Sequence, residues 1–143
     1  MGFHTVKPIP TLQSLPSEYR LMAQSFRRSL LAQNKSERTV TTYTEAVRLF
    51  GDFLVDRGMP TDVTAITREH LEEFMADQLS QWKPATANNR FRSLQAFFRW
   101  LDEEGEIERN PMAKMKPPHI PESPPAVLTD AELKRLLKTC DGR

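Results

Sequence analysis

Residues 83–101 read KPATANNRFRSLQAFFRWL, and the rest of the chain can be understood from this stretch. Its large apolar residues recur three or four positions apart: Phe91, Leu94, Phe98 and Leu101. This spacing is typical of one face of an α-helix. Pro84 is favoured in the first turn of a helix, and Gly105 is suited to its end. The stretch therefore predicts a helix that begins at Pro84 and buries an aromatic face against other elements.

The polar side of this predicted helix carries cations and amides but no acid. The cations between residues 83 and 100 are Lys83, Arg90, Arg92 and Arg99. Acids follow within the next eight residues: Asp102, Glu103, Glu104, Glu106 and Glu108. The net charge of the whole chain is only +1 and makes no case for nucleic acid. A helix face of one sign in a nearly neutral chain does suggest contact with a polyanion.

Three segments before residue 83 predict three more helices. The first runs from Ser17 to about Gln33, with a stripe of large residues on one face: Tyr19, Met22, Phe26 and Leu30. The second begins after an N-cap at Ser36 and ends near Gly58. Its inward stripe is Tyr43, Val47, Phe50 and Leu54, with Val40 beside it. Gly51 lies inside that pattern, where a glycine costs about 1 kcal/mol relative to alanine.

The third of these helices begins after a cap at Thr67 and is acidic on its outer face. Its inward stripe is Leu71, Phe74, Met75 and Leu79, and its acids are Glu69, Glu72, Glu73 and Asp77. In the loop before it, Val63 and Ile66 are expected to reach the core, and a short turn is expected at Asn110. No segment shows the alternation of a strand. Because each apolar stripe needs a partner, the predicted fold class is all-α, a four-helix bundle.

Prolines divide the chain into a domain and its flanking segments. Residues 1–16 contain three prolines and little periodicity, and they are predicted to form a flexible arm. Residues 17–115 form the helical domain, and residues 116–127 are predicted to be a semi-extended, proline-rich linker. Residues 128–143 begin with a capping-box pattern and are interpreted as the first helix of a truncated further domain. The alternative is a tail helix that packs back on the bundle.

Three landmarks together resemble the N-terminal core-binding, SAM-like domain of the tyrosine recombinase and phage integrase family, which includes the Xer-type recombinases. The first is SERTVTTY at residues 36–43, and the second is PATANNRF at residues 84–91 followed by FFRWL at residues 97–101. The third is Asn110-Pro111, followed by the proline linker and then by Leu128-Thr129. The resemblance implies a SAM-like bundle whose second and fourth helices face duplex DNA. It also implies that a C-terminal catalytic domain belongs to such proteins; that domain is expected to be missing here, so this fragment is expected not to be an enzyme, whereas its parent would be a DNA recombinase.

The residues expected to bind DNA lie at the starts of the second and fourth helices. They are Lys35, Ser36, Arg38, Thr39, Thr42, Lys83, Thr86, Asn89, Arg90 and Arg92. Helix starts offer unpaired amides and a positive dipole end, and cations that dock on phosphates release counterions. On a helical wheel Asn89, Arg92 and Ser93 lie opposite the aromatic stripe, with Thr86 and Arg90 beside it. These side chains are therefore expected to point outward while the bundle stays packed.

No other chemistry finds support in the sequence. A single cysteine, Cys140, excludes an internal disulfide and favours a reducing compartment. No apolar run is long enough for a signal peptide or a membrane span, and the three histidines are too far apart for a usual metal site. Tyr19 and Tyr43 match no nucleophile motif and are interpreted as core residues. The chain is expected to be cytoplasmic and to bind double-stranded DNA, with no cofactor, metal, small-molecule substrate or membrane partner, and to join a homo-oligomer on DNA through a full-length parent.

Three alternatives stay open. A non-enzymatic helical protein–protein interaction module would use Trp100 and a leucine stripe at residues 133–137 as its docking surface. A helix-turn-helix regulator would use residues 86–100 as its recognition helix, although the acidic helix before it is unusual for one that crosses DNA. A natural relative without a catalytic domain would occupy recombinase sites without acting on them.

Overall fold

The computed structural model describes residues 15–121, which form four α-helices joined by short connections. The helices are α1 (Ser17–Ala32), α2 (Glu37–Asp56), α3 (Arg68–Gln81) and α4 (Pro84–Glu103). A single 3₁₀ turn, Val63–Ala65, lies between α2 and α3. No strand occurs in this range, so the all-α prediction is confirmed.

The ends of the helices follow the predicted capping chemistry. The hydroxyl of Ser36 accepts the backbone N–H of Thr39 at 3.1 Å and caps α2. At the start of α3, Nδ1 of His70 accepts the backbone N–H of Thr67 at 2.9 Å. Gly58 and Gly105 follow the last turns of α2 and α4 with φ angles of 68° and 77°, a conformation that favours glycine. Local chemistry therefore accounts for where these helices begin and end.

The core is centred on α4, which is buried on more than one side. Its buried residues are Ala87, Phe91, Ser93, Leu94, Phe97, Phe98 and Leu101. The ring of Phe97 lies 5.2 Å from that of Phe26 on α1, while the ring of Phe98 lies 6.2 Å from that of Phe50 on α2. The prediction that Ser93 points outward is wrong, because it is 1% exposed and donates to the carbonyl of Asn89. Because other helices pack on both sides of α4, the buried part of its surface is wider than the single apolar stripe in its sequence predicts.

The inward residues of the other helices agree with the predictions except on α3. Val63 and Ile66 are buried as expected, and Tyr19 is fully buried, with its hydroxyl donating to the carbonyl of Val47 at 2.7 Å. This burial raises the pKa of Tyr19 well above its ordinary value. The prediction that Leu79 faces inward is wrong, because it is 41% exposed, while the neighbouring Gln78 is 6% exposed. The inward stripe of α3 thus continues at Gln78 rather than at Leu79.

The segment after α4 packs back on the bundle before it leaves it. Ile107 and Met112 are buried, and the side chain of Asn110 accepts the backbone N–H of Met112 at 2.9 Å, which confirms the turn predicted at this position. Residues 115–121 have no regular secondary structure. Most of the predicted arm, the second half of the linker and the predicted helix over residues 128–143 lie outside the described residues. Within the described range, no helix combines the length and apolarity needed to cross a bilayer.

Alanine in place of Gly51 is expected to destabilise the domain by about 1–3 kcal/mol, the usual cost of overpacking a filled core. A Cβ at this position would lie 2.5 Å from Cε2 of Tyr19 and 2.8 Å from Cδ2 of Leu15. Helix propensity alone predicts the opposite sign, a gain of about 1 kcal/mol. Urea unfolding followed by circular dichroism measures the difference. Thr41→Ala, on the exposed side of the same helix, is the control and should leave stability almost unchanged. An unaltered urea midpoint for Gly51→Ala would mean that α1 can shift away from the added methyl group.

Candidate nucleic-acid interface

The residues predicted at the start of α2 are mostly exposed. Lys35, Ser36, Arg38 and Thr42 lie at the surface, and Thr39 is half-buried. The hydroxyl of Ser36 accepts the amide of Thr39 and also donates to the hydroxyl of Thr39 at 3.0 Å. Ser36 therefore shapes the helix start itself, while the cations on either side of it extend into solvent.

At the start of α4, the predicted residues divide into two groups. Lys83, Asn89 and Arg92 are exposed, whereas Thr86 and Arg90 are half-buried. Pro84 occupies the first turn, and no side chain caps this helix. Because the first amides of a helix have no intrahelical acceptor, the positive end of α4 is open to a negatively charged partner.

The ion pairs of the domain are made by arginines outside the predicted site. Between residues 15 and 121 they are Arg48–Glu45 at 2.5 Å, Arg48–Asp52 at 2.9 Å, Arg57–Asp77 at 3.3 Å and Arg68–Glu72 at 3.0 Å. None involves Lys35, Arg38, Lys83 or Arg92, which lie at or near the starts of α2 and α4 and which we call the four unpaired cations. Arg27, Arg28, Arg99, Arg109, Lys114 and Lys116 also form no ion pair in the described range, but they lie away from these two helix starts. The charges of the four unpaired cations are not neutralised by a neighbouring carboxylate and remain available to a partner.

Arg90 differs from these four cations because its guanidinium contacts α3. Its Nη1 donates to Oε1 of Gln78, and its central carbon lies 5.0 Å from the centre of the Trp82 ring. Burial lowers the pKa of Arg90, while the charge of Glu45 acts to raise it and that of Arg48 to lower it further. The outward orientation expected for Arg90 is therefore not what the structure has. Whether Arg90 also touches DNA stays a prediction.

Gln78 is a residue of this region that the sequence interpretation missed. Its side chain is 6% exposed and is the acceptor for Arg90. A signal was present, since Gln78 follows Leu71 by seven positions and Phe74 by four, the positions of an inward stripe. A polar residue at such a position needs a buried partner, and Arg90 provides it.

Carboxylates line the groove between α2 and α3. They are Glu45, Asp52, Asp56 and Asp77, and Arg57, Trp82 and Arg90 also line this groove. Arg48 and Arg57 pair with three of these carboxylates, Glu45, Asp52 and Asp77. The outer face of α3 adds Glu69, Glu72 and Glu73, all exposed. The acids that no ion pair of the described residues offsets, Asp56, Glu69 and Glu73, would repel phosphate from this side.

Comparison with known proteins identifies related sequences for most of this domain. The family described as phage integrase, N-terminal SAM-like domain matches residues 22–105. A tyrosine recombinase XerC from Chlorobaculum tepidum is 33% identical over 110 residues, which cover 73% of this chain and 33% of the relative. A tyrosine recombinase XerD from Listeria monocytogenes is 27% identical over 114 residues, covering 78% of this chain and 38% of the relative.

A solved structure has the same arrangement of helices. The integrase from mycobacterium phage Brujita superposes with a TM-score of 0.62 at 26% sequence identity, and the match covers 82% of this chain and 39% of that protein. The chain thus spans about a third of the length of the curated relatives that it matches.

Proposed function

Since this chain belongs to the phage integrase N-terminal SAM-like domain family, we propose that it is a DNA-binding module of a site-specific tyrosine recombinase. In this proposal it grips one face of a recombination half-site through the starts of α2 and α4. The observation that carries the proposal is the set of four unpaired cations, Lys35, Arg38, Lys83 and Arg92, each exposed and without a carboxylate partner in the described domain.

Most of the binding energy would come from the phosphate backbone. Each cation that docks on a phosphate releases condensed counterions, and backbone contacts are the larger share of protein–DNA hydrogen bonds. Lys83 stands directly before the uncapped start of α4, where free amides add to its charge. Thr86, half-buried in the first turn, would place a hydroxyl at the same phosphate.

Recognition of bases would fall to the outer side of α4. Asn89 and Arg92 are exposed and stand three positions apart, so they are neighbours on the helix surface. Asparagine pairs with adenine in the major groove. We therefore assign sequence preference to Asn89, whereas Arg92 counts with Lys35, Arg38 and Lys83 among the cations that contact phosphates and supply affinity.

Strand cleavage and exchange would belong to the part of the relatives that this chain does not span. The matched relatives are named tyrosine recombinases, and the chain covers about a third of their length. The role we propose for this chain is to bind DNA, and assembly of a homo-oligomer on a recombination site would need the remainder of a longer protein. A lone helical domain that grips one face of the duplex should bind weakly.

Binding of the 143-residue chain to a fluorescein-labelled duplex is expected to depend strongly on salt. If the four unpaired cations contact phosphates, log K should fall with log salt with a slope of about −3 or steeper. Fluorescence anisotropy over a salt series measures this slope. Heparin at equal charge is the competitor control, and it should displace the duplex at low salt.

A slope near zero would contradict the proposal. Static light scattering on the same samples tests the alternative of a protein–protein interaction module. A tight oligomer whose size is indifferent to added duplex would favour that alternative, whereas a monomer that shifts in mass only with DNA would support the DNA-binding module.

A further inference from the structure

Arg90 is the centre of a small polar cluster at the junction of α3 and α4. The Arg90 cluster consists of Arg90, Gln78 and Trp82. The guanidinium donates to the buried amide of Gln78 and lies over the ring of Trp82, 5.0 Å from its centre. Trp82 is 50% exposed although it is a large aromatic residue. The Arg90 guanidinium lies over one face of this half-exposed ring and is a contact that can hold it in place.

The cluster controls a very short connection. α3 ends at Gln81 and α4 begins at Pro84, so Trp82 and Lys83 alone join the two helices. The backbone N–H of Trp82 donates to the carbonyl of Gln78 at 2.8 Å. Trp82 is thus held by its backbone to α3 and by its ring to α4. Because Lys83 directly follows Trp82, the position of Trp82 restricts where Lys83 can lie.

We propose that Arg90 is a positioning residue for DNA binding, which fixes the Trp82–Lys83 connection so that Lys83 and the open start of α4 meet the phosphate backbone in one orientation. The inference rests on the proposed function. It gives Arg90 a different role from that expected from the sequence, in which its guanidinium points outward to a phosphate. Arg90 acts through Trp82 and Gln78.

The chemistry of the cluster favours arginine over lysine. A guanidinium is planar, so it can lie against an indole ring while its edge donates to an amide oxygen. A lysine would keep the charge but lose this combination of stacking and directed donation. Gln78 also favours a donor at position 90, because burying an amide oxygen without a hydrogen-bond donor costs free energy. Removal of the guanidinium therefore loosens the ring and leaves Gln78 without its partner.

A double-mutant cycle with Lys83 separates positioning from direct contact. Arg90→Ala should lower affinity roughly tenfold, and Lys83→Ala should cost little further affinity in the Arg90→Ala background, because the phosphate contact of Lys83 is already weakened there. Arg90→Lys should lower affinity by a similar factor, although it keeps the charge. Arg92→Ala, an exposed neighbour on the same helix, is the matched control, and its loss of affinity should add to that of Lys83→Ala.

Fluorescence provides a readout that does not need DNA. The chain has two tryptophans, so Trp100→Phe leaves Trp82 as the sole emitter. In that background, Arg90→Ala should change the emission spectrum and raise quenching by acrylamide, a neutral quencher, because the ring loses its cover. Measurements well below the melting temperature, with the folded fraction checked by circular dichroism, keep global unfolding out of the comparison.

Three outcomes overturn the positioning role. Fully additive losses for Arg90→Ala and Lys83→Ala mean that the guanidinium does not act through Lys83. Wild-type affinity in Arg90→Lys means that only the charge matters. Unchanged Trp82 emission means that the ring is not held by Arg90. If the wild-type protein shows no salt-dependent binding at all, the proposed function itself has failed. If the wild-type protein binds with the expected salt slope but the Arg90 variants do not behave as described, only the positioning role of Arg90 has failed.

Discussion

Replacing all four unpaired cations with alanine should weaken DNA binding by about a hundredfold or more at low salt and leave the fold intact. The variant carries Lys35→Ala, Arg38→Ala, Lys83→Ala and Arg92→Ala. Each lost phosphate contact reduces the salt slope by about one, so the slope should approach zero. All four side chains are exposed and form no ion pair among the described residues, so the unfolding midpoint should hardly move.

A charge-matched control separates this surface from general electrostatic attraction. Arg27, Arg28, Lys114 and Lys116 are also exposed, and their replacement by alanine removes the same charge from other parts of the domain. This control should lose only a fewfold in affinity. Equal losses in the two variants would mean that DNA binds diffusely to any cationic side, which would contradict a site at the starts of α2 and α4.

Truncation of Phe97 should have the strongest effect on stability, a loss of about 3–5 kcal/mol for Phe97→Ala. The ring of Phe97 is fully buried and lies 5.2 Å from Phe26, 5.4 Å from Phe98 and 6.1 Å from Tyr19. Its removal would leave a cavity where α1 meets α4. Urea unfolding measures the change in the free energy of unfolding.

The exposed Leu21, 55% accessible, provides the control for this truncation. Leu21→Ala should change stability by less than about 0.5 kcal/mol, as is usual for surface substitutions. If Phe97→Ala does not fold, Phe97→Leu retains most of the apolar volume and should show a smaller loss in the same direction. A loss in Phe97→Ala no larger than that of Leu21→Ala would mean that the core is not organised around this ring.

The two sets of expected results test different parts of the domain, and α4 takes part in both. α4 holds the domain together through its aromatic side, and in the proposed function it meets DNA through its start and its outer side. Substitutions on the first side should lower stability, and substitutions on the second should lower affinity alone. Arg90 lies between them, since its guanidinium contacts α3 while its neighbours Asn89 and Arg92 face solvent.

The starts, ends and inward stripes of the helices could be predicted because they depend on local chemistry. The Ser36 cap, the first-turn Pro84 and the left-handed Gly58 and Gly105 act within a few residues of where they stand. The helical spacing of the aromatic residues and the acid-free run from residue 83 are also properties of a single segment. The family resemblance rested on such segments, and the match over residues 22–105 confirms it.

The errors have a common cause, which is that burial depends on what the other helices cover. Ser93 was expected outside and is buried, because α4 is packed on two sides rather than one. Leu79 was expected inside and is exposed, because the inward stripe of α3 continues at Gln78 instead. A stripe identifies the centre of a buried face, but neighbouring helices set its width.

The helices, their order and the sign of the charge on each face are therefore determined by the local sequence, because capping, periodicity and charge act over a few residues. The packing of one helix against another determines the structural role of individual residues. Gly51 is needed because Tyr19 and Leu15 fill the space beside it, and Arg90 turns toward α3 because Gln78 and Trp82 lie within its reach. Such contacts join residues distant in the chain, and only folding brings them together.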